Sequence, residues 1–403
     1  MVTIEEAIHL IKENLPEKKV ELRATYSCND FILAEDVYAQ YPSPYFDNSA
    51  MDGYALSIED TELLINAFEP KIFEVIGTSQ AGIPFLSKIP MGKCIQVNTG
   101  AKIPENTGAI VPIEDIVFIN HNMIKIKQPI KKFQHIRRKG EEFKENTLLL
   151  KKNTKLNPRN IALLLQAGKF EIFVYKKPKI VIITTGNELI PYNENLEEQD
   201  IEKGKIIDIN SYILETILKE KGYEIKLFNN VKDIENEIYE TIQKNINFDF
   251  FLLTGGVSVG PYDFVKKDVE KAGFKTIFWK IKQKPGKPIY FAKKENKVLF
   301  ALPGNPVSSF INFQHYVLPA IHYYEEEIWN YKNILLKSHS EILNEQNRDA
   351  FFTIRILDNE YFEIAPNQGS HKISSIAYSD GYIIVPAGKK IHRDQTYPCY
   401  LWM

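Results

Sequence analysis

The chain has 403 residues, of which 44% are hydrophobic and 25% charged, and its net charge is −2. That length calls for more than one core, that composition excludes a largely disordered chain, and that charge excludes the overall basic footprint of a nucleic-acid binder. Cys28, Cys94 and Cys399, odd in number and far apart, argue against a disulfide framework or a zinc site and fit a reducing, cytoplasmic setting.

The first stretch, MVTIEEAIHLIKENLP, has no basic region leading into an apolar core, which argues against a signal peptide. Thr3 and Glu6 fit a capping box, and Ile4, Ala7, Ile8 and Ile11 form one stripe, so the spacing predicts an amphipathic helix. No apolar run approaches the ~18 residues of a membrane span. FDNSAMDGYA, from Phe46 to Ala55, is polar and turn-prone between aromatics and reads most simply as an Asx turn. KCIQVNTGAKIPENTGAIVPIEDIVF reads as short strands punctuated by Gly, Pro and Asn. IRRKGEEF, from Ile136 to Phe143, is a charged turn whose default is solvent exposure. NPRNIALLLQAGKFEIFVY predicts a helix closed by Gly168, then a strand.

From about residue 176 to 325 the rhythm changes to strands alternating with helices. KPKIVIITT, FDFFLLT and KVLFAL are near-continuous apolar runs, as two-sided burial in a parallel sheet requires, and GYEIKLFNNV reads as a further strand. Residues 326–403 carry short β-like runs and predict a small β domain. The expected fold class is therefore α/β plus β in a multi-domain chain, with a central doubly wound, mostly parallel α/β domain at 176–325.

Ligands of open α/β sheets sit beyond the carboxyl ends of the strands. Three glycine loops, TTGNEL, TGGVSVGPYD and ALPGNPVSS, fall at such ends. Gly255, Gly256 and Gly260 let backbone approach a ligand closely, while Thr254, Ser258 and Ser308 add hydroxyls, so the loops suit phosphate or another oxyanion. Neither G-x-x-x-x-G-K-[ST] nor G-x-G-x-x-G occurs, which disfavours a P-loop NTPase or an NAD enzyme. Asp263 either caps the helix FVKKDVEKAG or reaches a Mg²⁺ ion on phosphate oxygens. Glu188 and Asp233, also at strand carboxyl ends, favour the metal reading. In FWKIKQKPGKPIYF, Lys280, Lys282 and Lys284 alternate and would share one face of a strand, with Lys287 beyond a Pro-Gly bend. Such a run is either a solvated face or a set of point charges converging on a compact anion.

Together, FDNSAMDGYA, VNTGAKIPENTGAIVPIED, IRRKGEEF, ITTGNELI, TGGVSVGPYDF, KQKPGKP, ALPGNPVSS and NQGSH resemble, in order and across residues 46–371, the molybdopterin molybdenumtransferase family, relatives of the gephyrin E domain. The resemblance implies molybdenum cofactor biosynthesis: molybdate is inserted into adenylylated molybdopterin with release of AMP and a divalent cation such as Mg²⁺. It implies a discontinuous N-terminal region at about 1–43 and 137–175, with a β-rich domain inserted at about 44–136. It also implies a homodimer in which Asp52 and Thr99 act on the partner's glycine loop, with other molybdenum-cofactor enzymes as candidate partners, while charge and run length give no sign of a nucleic-acid or membrane partner. By position, Asp52, Thr99, Glu142, Glu188, Asp233, Asp263, Lys280 and Lys284 match catalytic residues, Asp263 and Glu188 being the metal candidates. Gly255, Gly256, Ser258, Lys287, Ser308 and Ser370 match residues that hold the pterin phosphate or molybdate. The chain departs from the pattern at Glu142, where the family has Asp, and at Thr353, where it has Arg; Arg348 and Arg355 are the candidates to replace that Arg. A gephyrin-like peptide-binding scaffold on the same fold is the alternative function.

Overall fold

The computed structural model describes residues 1–66, 70–126, 128–231, 236–256 and 264–403, in two units: Glu21–Val174, and Met1–Val20 together with Tyr175–Met403. No helix among the described residues is long and apolar enough to cross a membrane.

In the unit Glu21–Val174, six strands form a sheet in the order Thr107–Pro112, Gly53–Ser57, Lys93–Val97, Ile72–Ser79, Met123–Ile126 and Ile116–Asn120. Alternation places Tyr54 and Leu56 in one core with Cys94, Ala109 and Val111, and Ala55 in a second with Ile95, Val97 and Ile110. The chain on either side of this sheet pairs with itself, Val37–Tyr38 against Leu148–Leu150 and Val20–Ala24 against Glu171–Tyr175. A separate core of Cys28, Leu33, Leu156, Leu164 and Val174 fills behind these pairs. The helix Pro158–Gln166 starts on an Asn157 capping box, and Gly168, in the left-handed region at φ 85°, follows its end.

The helix Ile4–Asn14 opens on the expected box: Thr3 Oγ1 accepts from Glu6 N at 3.1 Å and Glu6 Oε2 from Thr3 N at 2.8 Å. The resemblance implies a region of residues 1–43 and 137–175; by packing, Met1–Val20 lies in one unit with Tyr175–Met403. The cause is the stripe Ile4, Ala7 and Ile11, which is buried with Ile180, Leu214 and Ile321 of the α/β core.

The central sheet runs Glu224–Val231, Lys179–Thr185, Phe250–Thr254, Lys297–Leu302, Tyr290–Lys294, Lys275–Trp279. The first four strands are mutually parallel, and the last two add in antiparallel fashion. Both faces are buried, as the apolar runs require. Ile180, Ile182, Phe250, Leu252, Val298 and Phe300 face the helices Ile209–Glu220 and Leu318–Glu326. Val181, Ile183, Phe251, Leu253, Leu299 and Ala301 face the helices Glu237–Lys244 and Phe264–Lys271.

The chain leaves Lys179–Thr185 toward one face and Phe250–Thr254 toward the other. The edge after Thr185 and Thr254 is therefore the switch point of the sheet, where open α/β sheets take ligands.

The C-terminal strands Asp349–Leu357, Tyr361–Ile364, Asn333–Ser338, Thr396–Leu401 and Gly381–Val385 close into a ring, because the first and last also pair. Gln283–Lys284 adds to this ring, parallel to Asp349–Ala350. The lysine-rich segment thus leaves the central sheet at Trp279 and ends on the C-terminal ring. Ile281 and Gln283 are buried and Lys282 and Lys284 exposed, as alternation predicts. Lys280 does not share the expected face: it turns into the left-handed region at φ 78° and lays its ammonium 4.6 Å from the centre of the Trp279 ring.

Candidate active site

At this switch point the loop after Thr254 meets the loop after Leu302 through backbone, and the helix Ile209–Glu220 reaches that second loop through a side chain. Gly255 N donates to Leu302 O at 3.2 Å, and Asn210 Nδ2 donates to Gly304 O at 2.8 Å. Gly255 lies at φ 91°, and a Cβ there would sit 2.2 Å from Thr185 O, so no other residue fits. Gly256 packs its bare Cα side against Val265 and Thr185. Glu188 is exposed on the neighbouring loop, with its carboxylate folded over Gly186: both oxygens lie 2.8 Å from where a Cβ would be. Asp233, Ser258 and Asp263 lie outside the described residues.

Beside these loops a cavity of about 660 Å³ opens between the α/β domain and the C-terminal ring. Lys284, Lys287, Asn305 and Ser308 line one side, and Arg348, Thr353, Gln368 and Ser370 the other. Val307 N donates to Ser370 O at 3.1 Å and ties the two sides together. Glu345 is the one carboxylate among the lining residues, and none of Lys284, Lys287 and Arg348 forms an ion pair among the described residues. Three cations that outnumber the one lining carboxylate and do not pair with it make a place for an anion.

Thr353 is buried, and its Oγ1 accepts from Gln368 Nε2 at 2.6 Å. Arg355 turns away, its Nε donating to Tyr378 O at 2.8 Å, which leaves Arg348 as the guanidinium of the cavity. Asn344, also buried, donates to Arg348 O at 2.9 Å and Val385 O at 2.8 Å, and so fixes the turn that carries Arg348.

Among the residues expected from sequence, Lys284, Lys287, Ser308 and Ser370 thus meet in one cavity, while Gly255 and Gly256 pack on Thr185 and Glu188 folds over Gly186 on the loop that follows it. Lys280 does not line the cavity. Gln283 and Asn312, which hold the Lys284–Lys287 loop, escaped the sequence reading. A Gln in the buried phase of the lysine alternation was the available signal.

In the unit Glu21–Val174, Asp52 Oδ1 accepts from Thr99 N at 2.7 Å. That bond holds the carboxyl below its ordinary value of 3.8, although the side chain is fully exposed. A lowered carboxyl contributes stability above its unfolded pKa and loses it as pH falls through the folded one. The Asp52–Thr99 turn should therefore stay intact through mildly acidic solution. An NMR titration of the Asp52 carboxyl is expected to give a midpoint below 3.8; a midpoint at or above it would mean that the bond does not form in solution.

The two stretches with plain expectations, FDNSAMDGYA and IRRKGEEF, hold each other. Arg138 Nη1 reaches Asp47 Oδ2 at 2.5 Å and Lys139 N donates to Asp47 Oδ1 at 2.7 Å. Glu142 is not brought to Asp52; its Oε2 accepts from Ser43 Oγ at 2.7 Å and lies 3.5 Å from Gln166 Nε2.

Three family models match in series: "MoeA N-terminal region (domain I and II)" over residues 2–168, "Probable molybdopterin binding domain" over 181–323 and "MoeA C-terminal region (domain IV)" over 337–396. A molybdopterin molybdenumtransferase of Haemophilus influenzae is 34% identical over 323 residues, 80% of this chain and 77% of its own. The chain belongs to the molybdopterin molybdenumtransferase family. Another member, from Nostoc, is 30% identical over 93% of this chain and 86% of its own. The crystal structure of a molybdopterin biosynthesis moea protein from Pyrococcus horikosii superposes with a TM-score of 0.83 at 26% identity, covering 100% of this chain and 99% of that one. Membership in the molybdopterin molybdenumtransferase family makes the chain an enzyme of molybdenum cofactor biosynthesis.

Proposed function

We propose that this enzyme inserts molybdenum from molybdate into adenylylated molybdopterin and releases AMP, with molybdate held in the cavity of Lys284, Lys287, Ser308, Arg348 and Ser370. The observation that carries this reading is the set of three cations, none of them ion-paired among the described residues, facing a single lining carboxylate, beside the sheet edge that carries Gly255 and Gly256. Molybdate is a compact dianion, matched by ammonium and guanidinium donors and serine hydroxyls. A peptide-binding scaffold has no use for such a cavity.

Glu188 fits a Mg²⁺ ligand: it is an exposed carboxylate at a strand end without an ion-pair partner among the described residues, and Mg²⁺ takes one or two carboxylates and fills its other positions with water and phosphate. When bound, the ion would neutralise charge on the phosphoryl oxygens of the adenylate. Asp263 is the second carboxylate in this proposal, and Lys280, Asp233, Gly256 and Ser258 are retained as contributors to the same edge. We further propose a cytoplasmic homodimer in which Asp52 and Thr99 serve the partner's loops.

The test is AMP release from adenylylated molybdopterin. Release is expected to require molybdate, and removing divalent ions with EDTA is expected to stop it until Mg²⁺ is restored. Release that ignores molybdate would overturn the assignment, and a monomer in sedimentation equilibrium would overturn the dimer.

A further inference from the structure

The lysines of the cavity stand on a loop with a buried polar lock beneath it. Gln283 is fully buried, and its Nε2 donates to Pro285 O at 3.0 Å and to Asn312 Oδ1 at 2.9 Å. Asn312, also fully buried, donates through Nδ2 to Gly286 O at 3.0 Å. Tyr316 O–H donates to Gln283 Oε1, and burial pushes that phenol well up, so it stays a neutral donor.

Gly286 sits at φ 83° with its bare side on the lock: a Cβ there would lie 2.6 Å from Asn312 Oδ1 and 2.9 Å from Gln283 Nε2. Ile281 N closes the loop on Lys287 O at 3.0 Å. Both carbonyls between the two lysines are therefore held by side chains that are themselves fully buried. A buried amide placed among lysines and prolines is otherwise a poor choice; an apolar side chain would fill the space without the desolvation that two amides require.

We propose that Gln283 and Asn312 are positioning residues: they fix the backbone between Lys284 and Lys287 so that both ammonium groups meet one anion. The proposal rests on the anion-binding role of the cavity. With the lock in place the loop is preorganised; without it the same charges remain but their separation varies, and binding must order them.

The test is molybdate binding to the full-length protein by isothermal titration calorimetry. Four proteins are compared: the unaltered enzyme, Gln283→Leu, the pair Lys284→Ala with Lys287→Ala, and all three changes together. Gln283→Leu is expected to weaken binding about tenfold, the loss that a small misplacement of charged groups produces. In the background lacking both lysines it is expected to change nothing further, because it acts only through them.

Equal affinity of Gln283→Leu and the unaltered enzyme overturns the positioning role, and so does an undiminished effect in the lysine-free background. If the unaltered enzyme itself fails to bind molybdate, the function proposed above falls, and this inference with it. Should Gln283→Leu not fold, Tyr316→Phe decides. It removes only the hydroxyl that orients Gln283; a measurable loss of affinity in a folded protein supports the lock, and no loss refutes it.

Discussion

Alanine at both Lys284 and Lys287 is expected to lower molybdate affinity by about 100-fold or more and to abolish AMP release at ordinary molybdate concentrations. Hydrogen bonds to charged groups contribute about 1.5–3 kcal/mol each, so two of them amount to about 3–6 kcal/mol, at least two decades in affinity. Thermal unfolding should change little, because neither lysine pairs with a carboxylate among the described residues, so the change strands no buried charge. Arg348→Ala should add a further loss of about tenfold, whereas Arg355→Ala should leave binding intact, since its guanidinium is engaged with Tyr378 O at 2.8 Å. A large fall in thermal stability with unchanged affinity would show the lysines to be a structural feature rather than an anion site.

The second large effect is expected at Gly255. Its φ of 91° and the 2.2 Å approach of Thr185 O leave no space for a side chain. Gly255→Ala should destabilise the enzyme by about 2–5 kcal/mol, from left-handed backbone strain of about 1–2 kcal/mol and overpacking of about 1–3 kcal/mol. Urea unfolding followed by circular dichroism measures this against the unaltered protein. Any protein that remains folded should also lose affinity for the adenylate, since relieving the clash moves the loop after Phe250–Thr254 away from the loop after Lys179–Thr185. An unshifted midpoint would mean that the sheet edge is looser than the geometry implies.

How far such features could be read from sequence followed their physical origin. The apolar runs of Lys179–Thr185, Phe250–Thr254 and Lys297–Leu302 were legible because two-sided burial leaves no polar phase. Their order was not: nothing in the local pattern says that Lys179–Thr185 lies between Glu224–Val231 and Phe250–Thr254. Thr3 and Glu6 announced the first helix, because a capping box is local. Its attachment to the α/β core was hidden, since a stripe such as Ile4, Ala7 and Ile11 shows a buried face but not what buries it.

The same limit applied within the site. Lys284 and Lys287 stood out as charges beside a Pro-Gly bend, whereas Lys280 was misplaced because a left-handed residue inside a strand-like run leaves no mark in residue type alone. From sequence Asp47 reads as part of a turn. Its partners, Arg138 and Lys139, lie some ninety positions further along and meet it only in the folded unit.

The lock under the lysine loop also bears on redesign. A loop transplanted from a relative, or varied at random between positions 284 and 288, would land on a helix surface cut to receive one backbone path. Anyone wishing to retune which oxyanion the enzyme accepts should therefore move Gln283, Asn312 and Tyr316 as a single cassette with the loop, or else leave that backbone alone and change Ser370 and Arg348 on the opposite wall.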